Sequence, residues 1–157
     1  MFRRFLFAAI ALAAVSTLVA CDAAASPGGN PLRLMRRPDI ADDGRIVFVY
    51  QGDLWLVPPE GGVARRLTVH MGTEDYPKFS PDGTMIAFSG DHNERRNQLN
   101  VMPAGGGMPT QLTFESAGGR PVMWTRDGSR IVFSSTRESF IRFFKQFFSV
   151  PAGGGMP

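Results

Sequence analysis

The chain has 157 residues, 43% of them hydrophobic and 20% charged, with 18 Gly, 12 Pro and a single Cys. This composition excludes a disordered polypeptide, and one thiol excludes both a disulfide-stapled miniprotein and a cysteine-rich zinc module. The formal charge of +3 gives no nucleic-acid footprint, because 17 basic residues less Arg3 and Arg4, which fall in a removable leader, leave 15 against 14 acidic ones.

Residues 1–20 read as a signal peptide: Arg3 and Arg4, an apolar run from Phe5 to Val15, then Ser16 and Thr17. The run is shorter than the roughly 20 apolar residues of a spanning helix. Leu18-Val19-Ala20-Cys21 resembles a bacterial lipobox, which implies cleavage before Cys21 and a diacylglycerol on its thiol. An ordinary signal peptide with a cysteine near its cut is the alternative. Asp22 resembles the signal that holds some lipoproteins at the inner membrane, so the expected location is the bacterial periplasm, as an inner-membrane-anchored lipoprotein. Residues 21–33 are then the lipidated N-terminus and a tether, small and rich in Ala, Gly and Pro from Ala23 to Pro31.

Beyond residue 33 the chain repeats itself. Asp43-Gly44 precedes Ile46-Val47-Phe48, Asp82-Gly83 precedes Ile86-Ala87-Phe88, and Asp127-Gly128 precedes Ile131-Val132-Phe133. The isoleucines stand 40 and then 45 residues apart. Downstream, apolar runs end at Pro58, Pro103 and Pro151, and Gly61-Gly62, Gly106-Gly107 and Gly154-Gly155 follow at one offset. Leu67-Thr68 and Leu112-Thr113 begin nine residues past their proline, and a third pair would fall at 160. A period of this size redefines the whole fold.

Asp-Gly between apolar runs predicts a hairpin, because Gly accepts a positive φ without steric cost. Asp43, Gly44, Asp82, Gly83, Asp127 and Gly128 are therefore the repeat's turn positions. The second turn joins strands at 76–80 and 85–89, the third strands at 121–125 and 130–134. Strands at 53–57, 98–102 and 146–150 end where Pro withdraws a ladder donor. Gly-rich turns then reverse the chain into 64–68 and 108–113. Segments such as Ile46-Val47-Phe48-Val49 are apolar on both faces, as in a sheet covered on both sides. The expected fold is all-β: a β-propeller of about three four-stranded antiparallel blades, near 38–68, 76–113 and 121–157, filling 34–157 as an incomplete ring. Rings close with about four to eight blades. The chain is therefore expected to be an N-terminal fragment with a truncated third blade, leaving Trp55, Phe133 and Phe148 less protected than in a closed ring.

Pro77-Lys78-Phe79-Ser80-Pro81-Asp82-Gly83-Thr84-Met85-Ile86-Ala87-Phe88 resembles the WD40-like repeat shared by the Tol-system propeller, the prolyl-oligopeptidase propellers and the tricorn proteases. Pro38-Asp39-Ile40, Ile46 to Val49 and Asp53 to Val57 are similar to the opening blade of tricorn. Trp124 to Gly128, Ser135 to Ser139 and Phe147 to Pro151 are similar to its third blade. The resemblance, from about Leu34 to Pro157, implies a parent peptidase with a second propeller, a PDZ-like domain and core domains bearing a Ser/His/Ser/Glu tetrad. Tricorn itself is cytoplasmic, so the export signal departs from its pattern. The implied role is a non-catalytic propeller arm of an exported serine peptidase, guiding or filtering peptides toward that core. The alternative is a non-enzymatic periplasmic propeller of the Tol type. Expected partners are peptides or proteins on the propeller, the parent's downstream domains, and a membrane through a lipid at Cys21. No cofactor or nucleic acid is expected.

Other candidate sites have blander readings. His70 and His92 sit in polar or Gly-containing stretches between predicted strands, without a G-x-S-x-G elbow or other nucleophile context. Gly105-Gly106-Gly107 lacks the Lys-Ser/Thr of a phosphate loop, and Asp91-His92-Asn93-Glu94 lacks calcium-loop spacing. Phe140 to Phe148 interleaves aromatic and basic residues as a membrane-interface or base-stacking segment would. The repeat offset instead puts Phe147 to Val150 in a blade strand, with a lengthened loop before it.

Overall fold

The computed structural model describes residues 34–92, 95–137 and 144–155. The leader, Cys21 and the tether lie outside the described residues. Blade 1 is β1 (Arg36–Ile40), β2 (Ile46–Tyr50), β3 (Asp53–Val57) and β4 (Arg65–Arg66), hydrogen-bonded in that order. Blade 2 repeats the order with β5 (Glu74–Phe79), β6 (Met85–His92), β7 (Arg95–Pro103) and β8 (Thr110–Gln111). Among the described residues blade 3 has β9 (Arg120–Trp124), β10 (Arg130–Ser135) and β11 (Gln146–Pro151). The pairings are antiparallel, and the ring is not closed.

The innermost strands β1, β5 and β9 lie side by side, stapled by polar groups of the repeat. Asp39 accepts from Lys78 Nζ (2.7 Å) and the Phe79 amide (2.8 Å), and Trp124 Nε1 donates to the Lys78 carbonyl (3.0 Å). Strand alternation divides blade 2 between two seams. Val47, Val49, Leu54 and Leu56 of blade 1 meet Phe79, Ile86, Phe88 and Met102 of blade 2. The intervening residues Ala87, Leu99 and Val101 meet Trp124, Ile131, Phe133 and Val150 of blade 3. Apolarity on both strand faces is thus used twice in blade 2.

Four expectations need correction. The outer strands are two-residue rungs, shorter than 64–68 and 108–113, because Thr68 and Thr113 end the ladder with a side chain. The Leu54 and Leu99 amides each donate to a threonine Oγ1, at 2.9 Å in both blades. The β6–β7 hairpin runs on through the His92–Arg95 pair, so His92 is at a strand end. Phe133 is 1% exposed, well protected, because its face turns toward blade 2. Blade packing in the 140–148 stretch holds for Phe148, whose ring centroid is 5.8 Å from that of Phe133. Phe147, on the opposite strand face, and Phe144 are exposed, and 138–143 lie outside the described residues.

Candidate functional site

Antiparallel order puts the blade connections at two ends. At the turn end, the three Asp-Gly turns are braced alike. Ser80 Oγ donates to Asp82 Oδ1 (2.6 Å) and accepts from the Met85 amide (2.9 Å), while Thr84 Oγ1 donates to Asp82 Oδ2 (2.8 Å). Thr125, Asp127 and Ser129 repeat these bonds, with Thr125 Oγ1 donating to Asp127 Oδ1 at 2.6 Å. In blade 1 the hydroxyl is missing at Ala41, and Asp43 is held by the Arg45 amide and Nε. Arg45 Nη2 also donates to the Gly83 carbonyl (2.7 Å), joining two turns. Hydrogen bonds to the charged form lower all three carboxyls, from the Arg45 amide at Asp43, Ser80 Oγ at Asp82 and Thr125 Oγ1 at Asp127, the last to about 2. Gly44, Gly83 and Gly128 have φ between 67° and 87°. Each turn acid is committed to its own backbone, a structural role rather than a ligand site.

The opposite, loop end is built differently. Leu34, Arg37, Gln51, Tyr76 and Asn97, the described non-glycine residues with positive φ, all lie there. Such a backbone stores of order 1–3 kcal/mol per residue and concentrates at working sites. Arg37 and Tyr76 occupy equivalent β-bulges, where the register of β1 and β5 shifts. Pro38 and Pro77 follow, so the bulges leave no proline amide to satisfy. With Arg120 of β9, which pairs regularly with Ser134, the two bulged residues form a clasp across three blades. The Arg37 guanidinium lies 3.7 Å from the Tyr76 ring centroid and pairs with Asp75 (2.6 Å), while that of Arg120 lies 4.9 Å from the same ring and donates to the Tyr76 hydroxyl (3.0 Å).

Beside the clasp, Glu74 is 1% exposed. Thr68 Oγ1 donates to its Oε2 at 2.8 Å. Burial pushes the Glu74 carboxyl up to about 7, against the Thr68 bond, and the nearby Asp53 charge adds to the rise. Asp53, itself buried, pairs with Arg66 (2.7 Å). The next seam puts neutral Gln98 where Asp53 stands, with Thr113 Oγ1 donating to Gln98 Oε1 (3.0 Å) and Gln98 Nε2 to the Glu115 carbonyl (2.7 Å). Gly119 takes the place of Glu74: their amides donate to the equivalent Asn97 and Gly52 carbonyls. A Cβ on Gly119 would lie 2.9 Å from Phe133 Cδ2, so the ring fills the space that the second blade gives to an acid.

The loop end also projects apolar side chains at a repeated position. Val69 and Phe114, each directly beyond the Leu-Thr pair, are 75% and 63% exposed, and Met71 is fully exposed. Between blades 2 and 3, Arg137 lies 4.0 Å from the Phe148 ring centroid and bonds Glu115 (3.2 Å), beside a cavity of about 160 Å³. That is below the roughly 300–1,000 Å³ of ligand pockets. His70 belongs to this end as well, and among the described residues no group of three or more His, Cys, Asp or Glu could hold a metal ion.

The repeat marked the turn residues, and the structure gives them architecture. It did not single out Arg37, Tyr76, Arg120 or Glu74. Two signals were present: Arg37 and Tyr76 occupy one repeat offset, each before Pro, and Val69 and Phe114 occupy another, where an apolar residue has no strand to join.

A family model described as the tricorn protease N-terminal beta propeller domain matches residues 32–157. Over 98 residues the chain is 30% identical to tricorn protease homolog 1 of Streptomyces coelicolor, an alignment covering 62% of this chain and 9% of that protein. The match thus spans less than a tenth of that relative. Among solved structures, the putative TolB from Agrobacterium tumefaciens superposes with a TM-score of 0.65 at 23% identity, over 78% of this chain and 44% of that one. The crystal structure of the tricorn protease gives 0.63 at 22% identity, over 77% and 12%. Both likenesses speak to fold.

Proposed function

Because the chain belongs to the tricorn protease N-terminal β-propeller family, we propose that it is the propeller arm of an exported tricorn-like serine peptidase. Its blades hold no catalytic role in this reading, and the parent's core domains supply the nucleophile. The ring guides or filters peptides toward that core, and its loop end, where strained backbone, cation–π contacts and exposed apolar side chains converge, is the face that meets its surroundings. The observation that carries the reading is the tricorn match along the whole repeat region. Cys21 is the acylated residue that holds the arm at the inner membrane after the leader is cut. The genomic DNA beyond the Pro157 codon tests the proposal: it predicts an open frame running on into PDZ-like and core domains with a serine nucleophile. A frame that closes after a single propeller supports instead a non-enzymatic Tol-type interaction module. Acylation is read separately, by radiolabelled palmitate entering the wild type and not Cys21→Ser.

A further inference from the structure

The chain enters its first blade at Leu34, on the loop end, so whatever holds the N-terminal segment presents that end first. By composition residues 21–33 read as a linker, and a linker of that length has a root-mean-square span of only ~20 Å. Around the entry point the surface is apolar and cationic: Leu34, Met35, Val69, Met71 and Phe114 are exposed, with Arg36 exposed beside them. Among the described residues the acids of this end are turned inward or held, Glu74 by burial, Asp53 by Arg66, Asp75 by Arg37, Asp91 by Thr73 and the Asn97 amide, and Glu115 by Arg137. The turn end also exposes Val63 and Met108. It carries Asp42, Asp43, Glu60, Asp82 and Asp127 against Arg45, Arg65, Arg126 and Arg130, however, a small excess of acid, and three of those carboxyls are kept ionised by the turn bonds. That balance, together with the chain entry at Leu34, favours the loop end as the one to face an anionic bilayer.

We propose that the loop end is a membrane-docking face, seating Val69, Met71 and Phe114 in the headgroup region of an anionic bilayer with Arg36 at the phosphates. Side chains of this kind penetrate ~5–10 Å, and a basic residue at an anionic surface adds about 1 kcal/mol. The face goes beyond the peptidase-arm reading and rests only on its membrane attachment. Docked in this way, the propeller lies against the bilayer by one end and turns its acidic end to solvent.

The test uses the full chain with Cys21→Ser, whose apolar run from Phe5 to Val15 can still engage vesicles without acylation. A single thiol is introduced by Met71→Cys or, at the opposite end, by Gly61→Cys, and labelled with an environment-sensitive dye. Vesicles of phosphatidylethanolamine and phosphatidylglycerol carrying brominated acyl chains should quench the Met71 label at least about two-fold more than the Gly61 label. Adding Val69→Asp and Phe114→Asp should remove the difference while leaving the melting temperature unchanged. Equal quenching at both ends, stronger quenching at Gly61, labels unquenched at both, or a chain left in the supernatant each overturns the proposal. Unquenched labels would assign the face to a protein partner. Failure of acylation shows in the palmitate experiment and does not touch this end-to-end difference.

Discussion

The two ends of the blades are made from one repeat and teach different lessons. At the turn end, three Asp-Gly hairpins adopt one geometry, and even blade 1, which lacks the hydroxyl, reaches it through Arg45. At the loop end the same offsets carry Glu74 or Gly119, Asp53 or Gln98, Val69 or Phe114. Repetition at one end fixes the fold, and divergence at the other is available for recognition.

The largest effect that would break this comparison lies between two phenylalanines. Phe88, fully buried in the first seam, should lose about 3–5 kcal/mol on Phe88→Ala. Phe114→Ala at the loop end should stay within about 0.5 kcal/mol. Urea unfolding of both variants checks the contrast, and comparable losses would place Phe114 in the core.

Protonation should act on the two ends with opposite sign. The folded pKa of Glu74 is raised from 4.5 to about 7. Its contribution is therefore full below 4.5 and lost as pH rises through about 7, on the order of 3 kcal/mol at most. The folded pKa of Asp127 is depressed from 3.8 to about 2, so its contribution is present above 3.8 and lost as pH falls toward 2. Unfolding free energies across this range should lose the upper slope in Glu74→Gln and the lower one in Asp127→Asn. An unchanged profile in Glu74→Gln would contradict the buried neutral acid.

Smaller effects sharpen the picture. Ser80→Ala should cost about 0.5–1.5 kcal/mol, the scale of one lost brace, and Ala41→Ser in blade 1 should add less than that. Arg120→Ala should cost about 0.5–1 kcal/mol through the Tyr76 contact, measurable as a small drop in melting temperature. A loss of several kcal/mol there would make the clasp part of the core.

Much of the fold was legible because its grammar is local. Asp-Gly fixes a turn, Pro58, Pro103 and Pro151 end strands, and the spacing of the isoleucines sets the blade period. The short rungs β4 and β8 were not legible, since a threonine hydroxyl in place of a backbone acceptor leaves the pattern unchanged. The candidate surface was mostly hidden for a related reason. The clasp joins Arg37, Tyr76 and Arg120 across three blades, and only the side-by-side packing of β1, β5 and β9 brings them together. No pattern in the sequence marks Glu74, and only the depth of the seam buries it. Phe147 and Phe148 look alike in sequence, yet strand alternation sends one to solvent and the other onto Phe133.

Native-state amide hydrogen exchange tests the division of labour most directly. The Ala41, Ser80 and Thr125 amides, bonded across their turns at 2.9 Å, should exchange only with global unfolding. Those of 69–71 and 114–116 should exchange through local fluctuations, at least ~100-fold faster. Equal protection at the two ends, or greater protection at the loop end, would contradict a repeated scaffold at one end and a recognition surface at the other.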